Sequence, residues 1–400
     1  MTPVLYDKNS SGVTLGVLQE CISCTVTEEL NGIFECTFQY PVTGDYFQLL
    51  TGLDCMILAA FEHYGGGYLT TYFDVYKFSA PINGIVTFYA QHVSYRLSNL
   101  IVKGGFTAND PYDALAKIFA NAQTTNLFSF EDYSPWNGNA ATMTVPEGYY
   151  SARELMLGRG ESVVSIINTW DCEFEFLNFS VRVYPQRGLN RGVQIRYGKN
   201  INDVTREKDV GGVVGEVWPY WHDSENTTFV YGSPATSPKL ETGYSPWTTK
   251  KISADIPPIY YQEQIKGNGE PIYFQPALIN PSAIDFSAQF DTAPSAAQLA
   301  NAALKYMSKN STWRANDNIS VDFVDLYGTP EYADIKNLEE CRLGDYVAVY
   351  YPELGIISKN VEIVSVTFDT LAERFTTMQL GTIKTTLAQL IIDTIGGSYK

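Results

Sequence analysis

The sequence predicts a β-rich α+β protein of several domains, and three observations support this prediction. The chain has 400 residues, which is enough for roughly two to four domains. Aromatic residues make up 14% of it and charged residues only 18%. Such a composition suits pleated sheets and argues against disorder. Hydrophobic residues reach 45%, so the chain has the material for a buried core.

The first hundred residues read as strands joined by tight turns. In "CISCTVTEELNGIFECTFQYPV", apolar and polar residues alternate after Asn31-Gly32. The alternation predicts a strand with one buried face, and Asn-Gly favours the positive φ angles of a hairpin turn. A second pair, Asn83-Gly84, precedes the strand-like "IVTFYAQHVSY" and predicts another turn.

The pattern changes near residue 105, and residues 105–202 read as a separate α+β module. In "DPYDALAKIFANA", Asp110 is an N-cap residue followed by a proline at the first helical position. Ser151 and Glu154 form a capping box, which predicts a second helix start. The segment "CEFEFLNFSVRVYPQRG" predicts two strands that meet at Asn178.

The remainder returns to strands, with two further helices. "TREKDVGGVVGEVWPYW" reads as strand, and residues 233–292 are rich in Pro, Ser, Tyr and Asn. A helix is predicted over 295–310, four strands follow it, and an amphipathic helix in "TIKTTLAQLIIDTI" closes the chain. "LDCMIL…YFDVYKFS" weakly echoes "LGDYVAVY…NVEIVSVT". The echo indicates either two copies of one β-barrel fold or ordinary strand patterning.

Charge and targeting features exclude several classes of protein. The formal net charge is −17 and the basic residues are scattered, so nucleic-acid binding is not expected. The N-terminal sequence has no apolar core after a basic start, and no run of about 18 apolar residues predicts a membrane span. The six cysteines are irregularly spaced. We expect them to be reduced and buried, in a protein made in a cytoplasm.

No catalytic or metal-binding pattern is recognisable. The single C-x-x-C, Cys21 to Cys24, lacks the second pair that a zinc site needs. The three histidines, His63, His92 and His222, are not at metal-ligand spacing. No G-x-S-x-G nucleophile elbow occurs, and the cysteines stand in apolar or acidic contexts that disfavour a Cys-His peptidase.

Other acidic and glycine-rich motifs carry little information. Glu28-Glu29 flanks a hairpin turn and reads as a solvated edge, and Glu339-Glu340 is one acidic pair among many. A glycosidase needs two carboxyl groups about 5–10 Å apart in a cleft, which the sequence neither shows nor excludes. The glycines at 65–67 lack the lysine and helix of a phosphate-binding loop.

The aromatic cluster "VWPYWHD" is the candidate for sugar stacking. It brings together Trp218, Tyr220, Trp221 and His222, with Asp223 next in sequence. In a chain so rich in aromatic residues, core packing or an interface is the alternative. From the residues alone, the protein reads as a structural or binding protein.

Several segments together resemble the tail-hub family of long-tailed phages, known as tail-associated lysin, prophage endopeptidase tail or phage minor structural proteins. These segments run in order along the chain: "LYDKN", "CISCTVTEELNGIFECTFQYPV", "DVYKFSAPINGIVTFYAQHVSYRLSN", "SARELMLGRGESVVSIINTWDCEFEFLNFSVRVYPQRGLNRGVQIRYGKNI", "GEVWPYW", "RLGDYVAVYYPELGI" and "VTFDTLAERFTTMQLG". The resemblance covers most of the chain and is weakest over 233–292.

The resemblance implies a fold similar to the central hub trimer of contractile baseplates. Two barrel-like tail-tube domains per subunit would then form a pseudo-sixfold ring from three chains. The implied division is listed here: first tube domain 1–104, inserted α+β domain 105–202, second tube domain 203–235 with 317–382, second inserted domain 236–316, and C-terminal helix and tail 383–400.

The implied function is a non-enzymatic tail hub and tip protein of a siphophage or prophage. Its partners would be two further copies, the distal tail protein ring, the tape measure protein and receptor-binding or tip proteins. It would be assembled in the bacterial cytoplasm, sit at the virion tail tip and let DNA pass through without specific binding. No cofactor, metal or catalytic residue is expected, because the shared segments are structural. The alternatives are a wall-degrading endopeptidase or glycosidase, with a site in 236–316 or near Trp218–Asp223, and a carbohydrate-binding adhesin.

The resemblance also changes the expectation for His92. The block Asn83–Asn99 belongs to the shared structural segments, at the end of the first predicted domain. We therefore expect the imidazole of His92 to be hydrogen-bonded, at least half buried, and to hold the junction between that domain and the inserted module.

Overall fold

A computed structural model of the chain describes most of its residues. The described residues are 1–64, 67–158, 164–196, 201–209, 214, 216–223, 225, 227–236, 248–251, 260–265, 271–274, 281–290, 292–310, 316–323, 341–351 and 356–381. The chain divides into two compact units, Met1–Arg206 with Asn318–Lys400, and Glu207–Asp317. The predicted C-terminal helix and tail, 383–400, lie outside the described residues. The finer predicted domain boundaries stay a prediction.

Strands dominate the described residues, and the helices are few. The strands up to residue 110 are β1 (Val4–Asp7), β2 (Ser10–Val17), β3 (Ser23–Glu29), β4 (Phe34–Pro41), β5 (Cys55–Tyr64), β6 (Gly67–Phe78), β7 (Ile85–His92), β8 (Ile101–Lys103) and β9 (Phe106–Ala108). Those up to residue 209 are β10 (Ser129–Phe130), β11 (Met143–Val145), β12 (Tyr149–Ser151), β13 (Glu173–Leu177), β14 (Ser180–Tyr184), β15 (Asn190–Arg196) and β16 (Ile201–Asp209). The others are β17 (Glu216–His222), β18 (Phe229–Tyr231), β19 (Ala235–Thr236), β20 (Thr248–Lys251), β21 (Tyr260–Ile265), β22 (Pro271–Phe274), β23 (Pro281–Asp285), β24 (Asn316–Phe323), β25 (Tyr346–Tyr351), β26 (Ile356–Asp369) and β27 (Arg374–Gly381). The helices are α1 (Phe47–Thr51), α2 (Pro111–Ala120), α3 (Ala152–Leu157), α4 (Ile166–Trp170) and α5 (Ala296–Asn310), with 3₁₀ turns at Val93–Asn99 and Ser287–Gln289.

Thirteen strands form one large sheet. Eleven of them follow the order β16-β24-β27-β26-β3-β4-β7-β6-β5-β1-β2, and β15 joins through β25, which pairs with β26. Along β4, burial alternates strictly from residue to residue, as the sequence predicts. The inward side chains of β4 are Phe34, Cys36, Phe38 and Tyr40. Burying each large side chain stabilises the fold by about 1.5–3 kcal/mol.

The two Asn-Gly turns have different geometries. Asn83 and Gly84 both have positive φ angles, 51° and 76°, and Ile82 and Ile85 exchange backbone hydrogen bonds across them. This is the tight turn that the sequence predicts. Between β3 and β4 only Asn31 has a positive φ, of 56°, because the connection is a four-residue loop rather than a two-residue turn.

The first and last parts of the described chain meet in the large sheet. β26 pairs antiparallel with β3, from Ser365 opposite Glu29 to Asp369 opposite Thr25, and with β27 over a similar stretch. This pairing makes one sheet of strands that the sequence assigned to two separate barrels. No sheet closes into a barrel among the described strands, so two barrel-like domains stay a prediction.

The predicted α+β module contains capped helices and a small sheet. Asp110 accepts a hydrogen bond from the backbone N–H of Asp113 at the start of α2, and Ser151 does the same for Glu154 at the start of α3. Both predicted N-caps are confirmed. β13 and β14 form the predicted hairpin, and Asn178 in its turn has a φ of 53°.

The second unit is organised around a four-stranded sheet and α5. β17 is central and pairs with β18, β19 and β23. The predicted helix over 295–310 is confirmed as α5, and it buries Leu299, Ala303 and Met307 in a cluster with Val217 and Trp221. No helix in the described part of either unit is both long enough and apolar enough to cross a membrane.

Candidate functional site

His92 is fully buried and both of its ring nitrogens have partners. Nδ1 accepts a hydrogen bond from the backbone N–H of Ser94 at 3.1 Å, so the proton of the neutral ring is on Nε2. That atom lies 2.7 Å from the Thr71 hydroxyl. Burial, with Arg153 nearby, holds the pKa of His92 well below its usual range. The imidazole is therefore neutral and has no free lone pair for acid–base chemistry.

The Thr71 hydroxyl extends this contact to the turn between β13 and β14. It accepts a second hydrogen bond, from the backbone N–H of Asn178 in the β13–β14 turn, at 2.9 Å. Asn31 makes a parallel link, donating to the carbonyl of Cys172 and accepting from the backbone N–H of Phe174. These bonds form a junction between the first strands and the β13–β14 hairpin. The expectation that His92 is buried and hydrogen-bonded is confirmed, and its place at a domain boundary stays a prediction.

Replacing Thr71 by valine is expected to weaken this junction. Valine keeps the shape but leaves the His92 Nε2–H and the Asn178 N–H without their acceptor. Each unmet buried donor costs about 1–3 kcal/mol, so we expect a loss of at least about 2 kcal/mol in the free energy of unfolding by urea. The matched control is Thr144→Val, whose hydroxyl makes an exposed contact with Thr107 and whose loss should change stability by less than about 0.5 kcal/mol. Equal effects of the two substitutions would contradict the role of Thr71.

His222, the histidine of the aromatic cluster, lies next to Asp285 and not next to a nucleophile. Its Nε2 is 3.0 Å from the Asp285 carboxylate and its Nδ1 is 2.7 Å from the carbonyl of Asp223. The Asp223 carbonyl contributes most to raising the pKa of His222, and Asp285 adds to it. Both nitrogens face acceptors, so the doubly protonated ring fits this site best and neither nitrogen offers a lone pair to a base-catalysed reaction.

Ser287 completes a serine, histidine and aspartate cluster that lacks the geometry of a hydrolytic triad. Its hydroxyl donates to the Asp285 carboxylate at 2.6 Å and accepts from the backbone N–H of His222 at 2.8 Å. A triad needs the serine hydroxyl on a histidine nitrogen. Asp223, the neighbour singled out by sequence, instead bonds Thr227 and Thr228, and these bonds lower its pKa to about 2.

The aromatic residues of the cluster divide between core and surface. Trp221 is buried, and its Nε1–H donates to the carbonyl of Phe290 at 2.9 Å. Trp218 is 50% exposed. The sequence motif suggested that Trp218 and Trp221 belong to one cluster, but strand alternation places them on opposite faces of β17.

The other sequence candidates form no site. All six cysteines are free, and five are buried. Burial raises the pKa of the Cys55 thiol to about 11. No group of three or more metal-binding side chains that could hold an ion occurs among the described residues. Glu339, Glu340 and residues 65–66 lie outside the described residues, as does the side chain of His63.

A buried ionic cluster was not found from sequence. Arg187 pairs with Glu28 at 2.6 Å and with Glu175 at 3.5 Å. Arg342 lies 3.2 Å from Glu62. Glu28, which the sequence interpreted as part of a solvated edge, is 5% exposed, so that interpretation is wrong for this residue. The partner that allows its burial is 159 residues away, beyond the reach of any local pattern.

Solved structures of prophage and bacterial tail proteins share this fold. The prophage tail protein gp18 of Listeria monocytogenes EGD-e aligns with a TM-score of 0.53 and 15% identity over 99% of both chains. This chain has the fold of a prophage tail protein. The tail protein of Neisseria meningitidis MC58 gives a TM-score of 0.52 and 11% identity over 95% of this chain and 96% of that one. The 43 kDa tail protein of prophage MuSo2 from Shewanella oneidensis gives 0.50 and 10% over 95% and 98%.

No protein-family model matches the sequence, and no curated protein matches it. The tail-protein likeness is therefore carried by the fold. It confirms the resemblance that the sequence motifs indicated, at the level of phage and prophage tail proteins.

Proposed function

We propose that the protein is a structural hub of a phage or prophage tail, in which three copies form a ring that closes the end of the tail tube. The observation that supports this most is the tail-protein fold, which extends over 95–99% of this chain in three solved structures. Each of those proteins is a prophage or bacterial tail protein.

The arrangement of the large sheet supports assembly into a ring. Its end strands in the described part of the chain, β2 and β16, each pair with one neighbour only. Two different edges on one subunit suit a head-to-tail contact, which closes into a ring when the rotation between copies allows it. In this proposal residues 1–104 and residues 203–235 with 317–382 supply the two tube domains. The segments 105–202 and 236–316 are the outer domains.

The charge suits a channel for DNA. With a net charge of −17, the molecule repels the phosphate backbone and favours passage over binding. The proposed neighbours are the distal tail protein ring and the tape measure protein, with receptor-binding or tip proteins beyond, at the tail tip of a siphophage.

A non-enzymatic role is part of the proposal. Both ring nitrogens of His222 are directed at acceptors, and the nearby Ser287 hydroxyl is directed at the Asp285 carboxylate. Neither arrangement activates a nucleophile. A carbohydrate-binding role is the second candidate, and the exposed aromatic residues of β17 and β18 favour it.

Mass measurement of the intact protein in solution is the deciding test. We expect native mass spectrometry to give three times 44.6 kDa, and negative-stain images to show a ring with a central opening. A stable monomer at micromolar concentration, together with clearing of cell-wall material in a gel, would overturn the proposal. His222→Ala would then show whether the clearing depends on the aromatic cluster.

A further inference from the structure

The outer face of the second unit's four-stranded sheet carries a row of aromatic rings. Alternation along β17 directs Val217 and Trp221 inward and Trp218, Tyr220 and His222 outward. On β18, Tyr231 pairs with Tyr220 and Phe229 pairs with His222, so their side chains share the outer face. This set of residues, called the aromatic face below, is Trp218, Tyr220, His222, Phe229 and Tyr231.

Three rings of the aromatic face are well exposed, and four of the five rings form two stacked pairs. Trp218, Phe229 and Tyr231 are 50%, 44% and 69% exposed. Phe229 and Tyr231 are nearly parallel, with 11° between their planes and 6.2 Å between their centroids. Tyr220 and His222 form a second such pair, at 26° and 6.4 Å. Two rows of parallel rings therefore lie side by side on adjacent strands.

Polar groups lie beside these rings, and the two charged groups in contact there, Asp285 and His222, have opposite charges. β23 borders the face and places Ala283 next to Trp218 and Asp285 next to Tyr220. Asp285 and His222 neutralise each other through their contact at 3.0 Å. No lysine or arginine is paired across β17 in its described neighbours β18, β19 and β23. Glu216 lies on the same side of β17, so the face and its border carry one uncompensated carboxylate and no cation among these described neighbours.

We propose that the aromatic face binds a neutral saccharide built from pyranoses with equatorial substituents. The axial C–H groups of such a sugar carry partial positive charge and complement the negative π face of an aromatic ring. Its hydroxyl groups extend around the ring edge, where the tyrosine hydroxyls and the Asp285 carboxylate provide donors and acceptors. Small Ala283 leaves room for the sugar beside Trp218.

The charge of the aromatic face favours a neutral saccharide over other classes of ligand. A nucleic acid also stacks on aromatic rings, but it needs cations along its backbone, and the face has none among its described residues. The polar pair at the border suits hydroxyl groups better than an apolar protein segment, which would bury Asp285 without new partners.

The test is to titrate the protein with cellohexaose and, separately, with chitohexaose. Isothermal titration calorimetry and tryptophan fluorescence measure the binding. We expect binding of at least one of the two, with a change in emission from Trp218. Trp218→Ala and Tyr231→Ala should each weaken binding by about tenfold, which is the effect of losing roughly 1.4 kcal/mol of stacking. The control is Tyr149→Ala, since Tyr149 is 71% exposed but lies in the first unit, and its affinity should match the parent.

Two results would overturn the proposal. One is the absence of binding to both sugars at millimolar concentration. The other is binding that Tyr231→Ala leaves unchanged, with circular dichroism showing a folded protein. Tyr231 is mostly exposed, so its removal should not unfold the chain. The site does not depend on ring formation, so sugar binding and the trimer mass can fail independently.

Discussion

Replacing Arg187 by methionine is expected to lower the free energy of unfolding by about 3–5 kcal/mol. The Arg187 side chain is 7% exposed and its partner Glu28 is 6% exposed. Methionine fills the same space but removes the charge that compensates Glu28 and, at 3.5 Å, Glu175. Breaking one side of a buried ion pair leaves the other charge in a poor environment.

The pH dependence distinguishes this mechanism from simple loss of packing. Burial already raises the pKa of Glu28, and Arg187 opposes that rise. Without the arginine the pKa of Glu28 must rise further, so in Arg187→Met the carboxyl should be protonated in the folded state. The destabilisation should therefore be smaller in mild acid and larger at alkaline pH. Urea denaturation at several pH values measures it.

An exposed ion pair provides the control for Arg187. Lys117 and Asp113 are in contact at 2.8 Å, with side chains 36% and 32% exposed. Because solvent screens such pairs, Lys117→Met should cost less than about 1 kcal/mol at any pH. A similar cost for Arg187→Met would show that the buried cluster contributes little to stability.

Replacing Glu362 by glutamine is expected to stabilise the protein above neutral pH. The carboxyl groups of Glu173 and Glu362 hydrogen-bond to each other, with the Tyr346 hydroxyl beside them. Two carboxyl groups can do this only if one carries a proton. Burial and the neighbouring Glu173 raise the pKa of Glu362 to about 7, and burial raises the pKa of Glu173.

The sign of the pH effect follows from this raised pKa. Between these two pKa values the folded state holds a proton that the unfolded state, where Glu362 has the ordinary pKa of a glutamate, releases. The stability that this bound proton contributes is fully present below the pKa of Glu362 in the unfolded state. It is lost as the pH rises toward about 7 and stays absent above that pH. Glutamine removes the titration and can donate an N–H to Glu173. At about pH 8 we expect a gain of roughly 1 kcal/mol after allowance for solvent screening, and no gain at about pH 4.

Glu131, a carboxyl group whose pKa is lowered rather than raised, serves as the control. Hydrogen bonds from Arg182 and Tyr133 lower the pKa of Glu131. Its contribution is present above the unfolded pKa and is lost as pH falls, so Glu131→Gln should reduce stability at neutral pH and have no effect in acid. Thermal melts across this pH range compare the two variants. A gain for Glu362→Gln that is the same at every pH would rule out the shared proton.

Local features were predictable from sequence because short-range physics fixes them. Asp110 and Ser151 cap their helices, and Asn83-Gly84 adopts two positive φ angles, since each depends on atoms within a few residues. The burial and hydrogen bonding of His92 were predictable because the block Asn83–Asn99 belongs to the segments that resemble the tail-hub family and stands at the end of the first predicted domain.

Long-range features were not predictable. The pairing of β3 with β26 depends on the register of strands from opposite ends of the described chain, and strand patterns specify faces rather than neighbours. The burial of Glu28 depends on Arg187 in the same way. On β17, alternation could have separated inward Trp221 from outward Trp218, but reading "VWPYWHD" as one cluster obscured that signal.

The pairing of β3 with β26 also determines when the large sheet can fold during synthesis. The hydroxyls of Thr27 and Thr367 meet at 3.2 Å although 340 residues separate them. At about 5–20 residues per second, a ribosome needs roughly 20–70 s to make that stretch. During this interval the outer edge of β3 has no native partner, and open edges of this kind invite aggregation. Nascent chains that end before residue 363 should therefore depend on chaperones, and the large sheet should form only after residues 365–369 have been made.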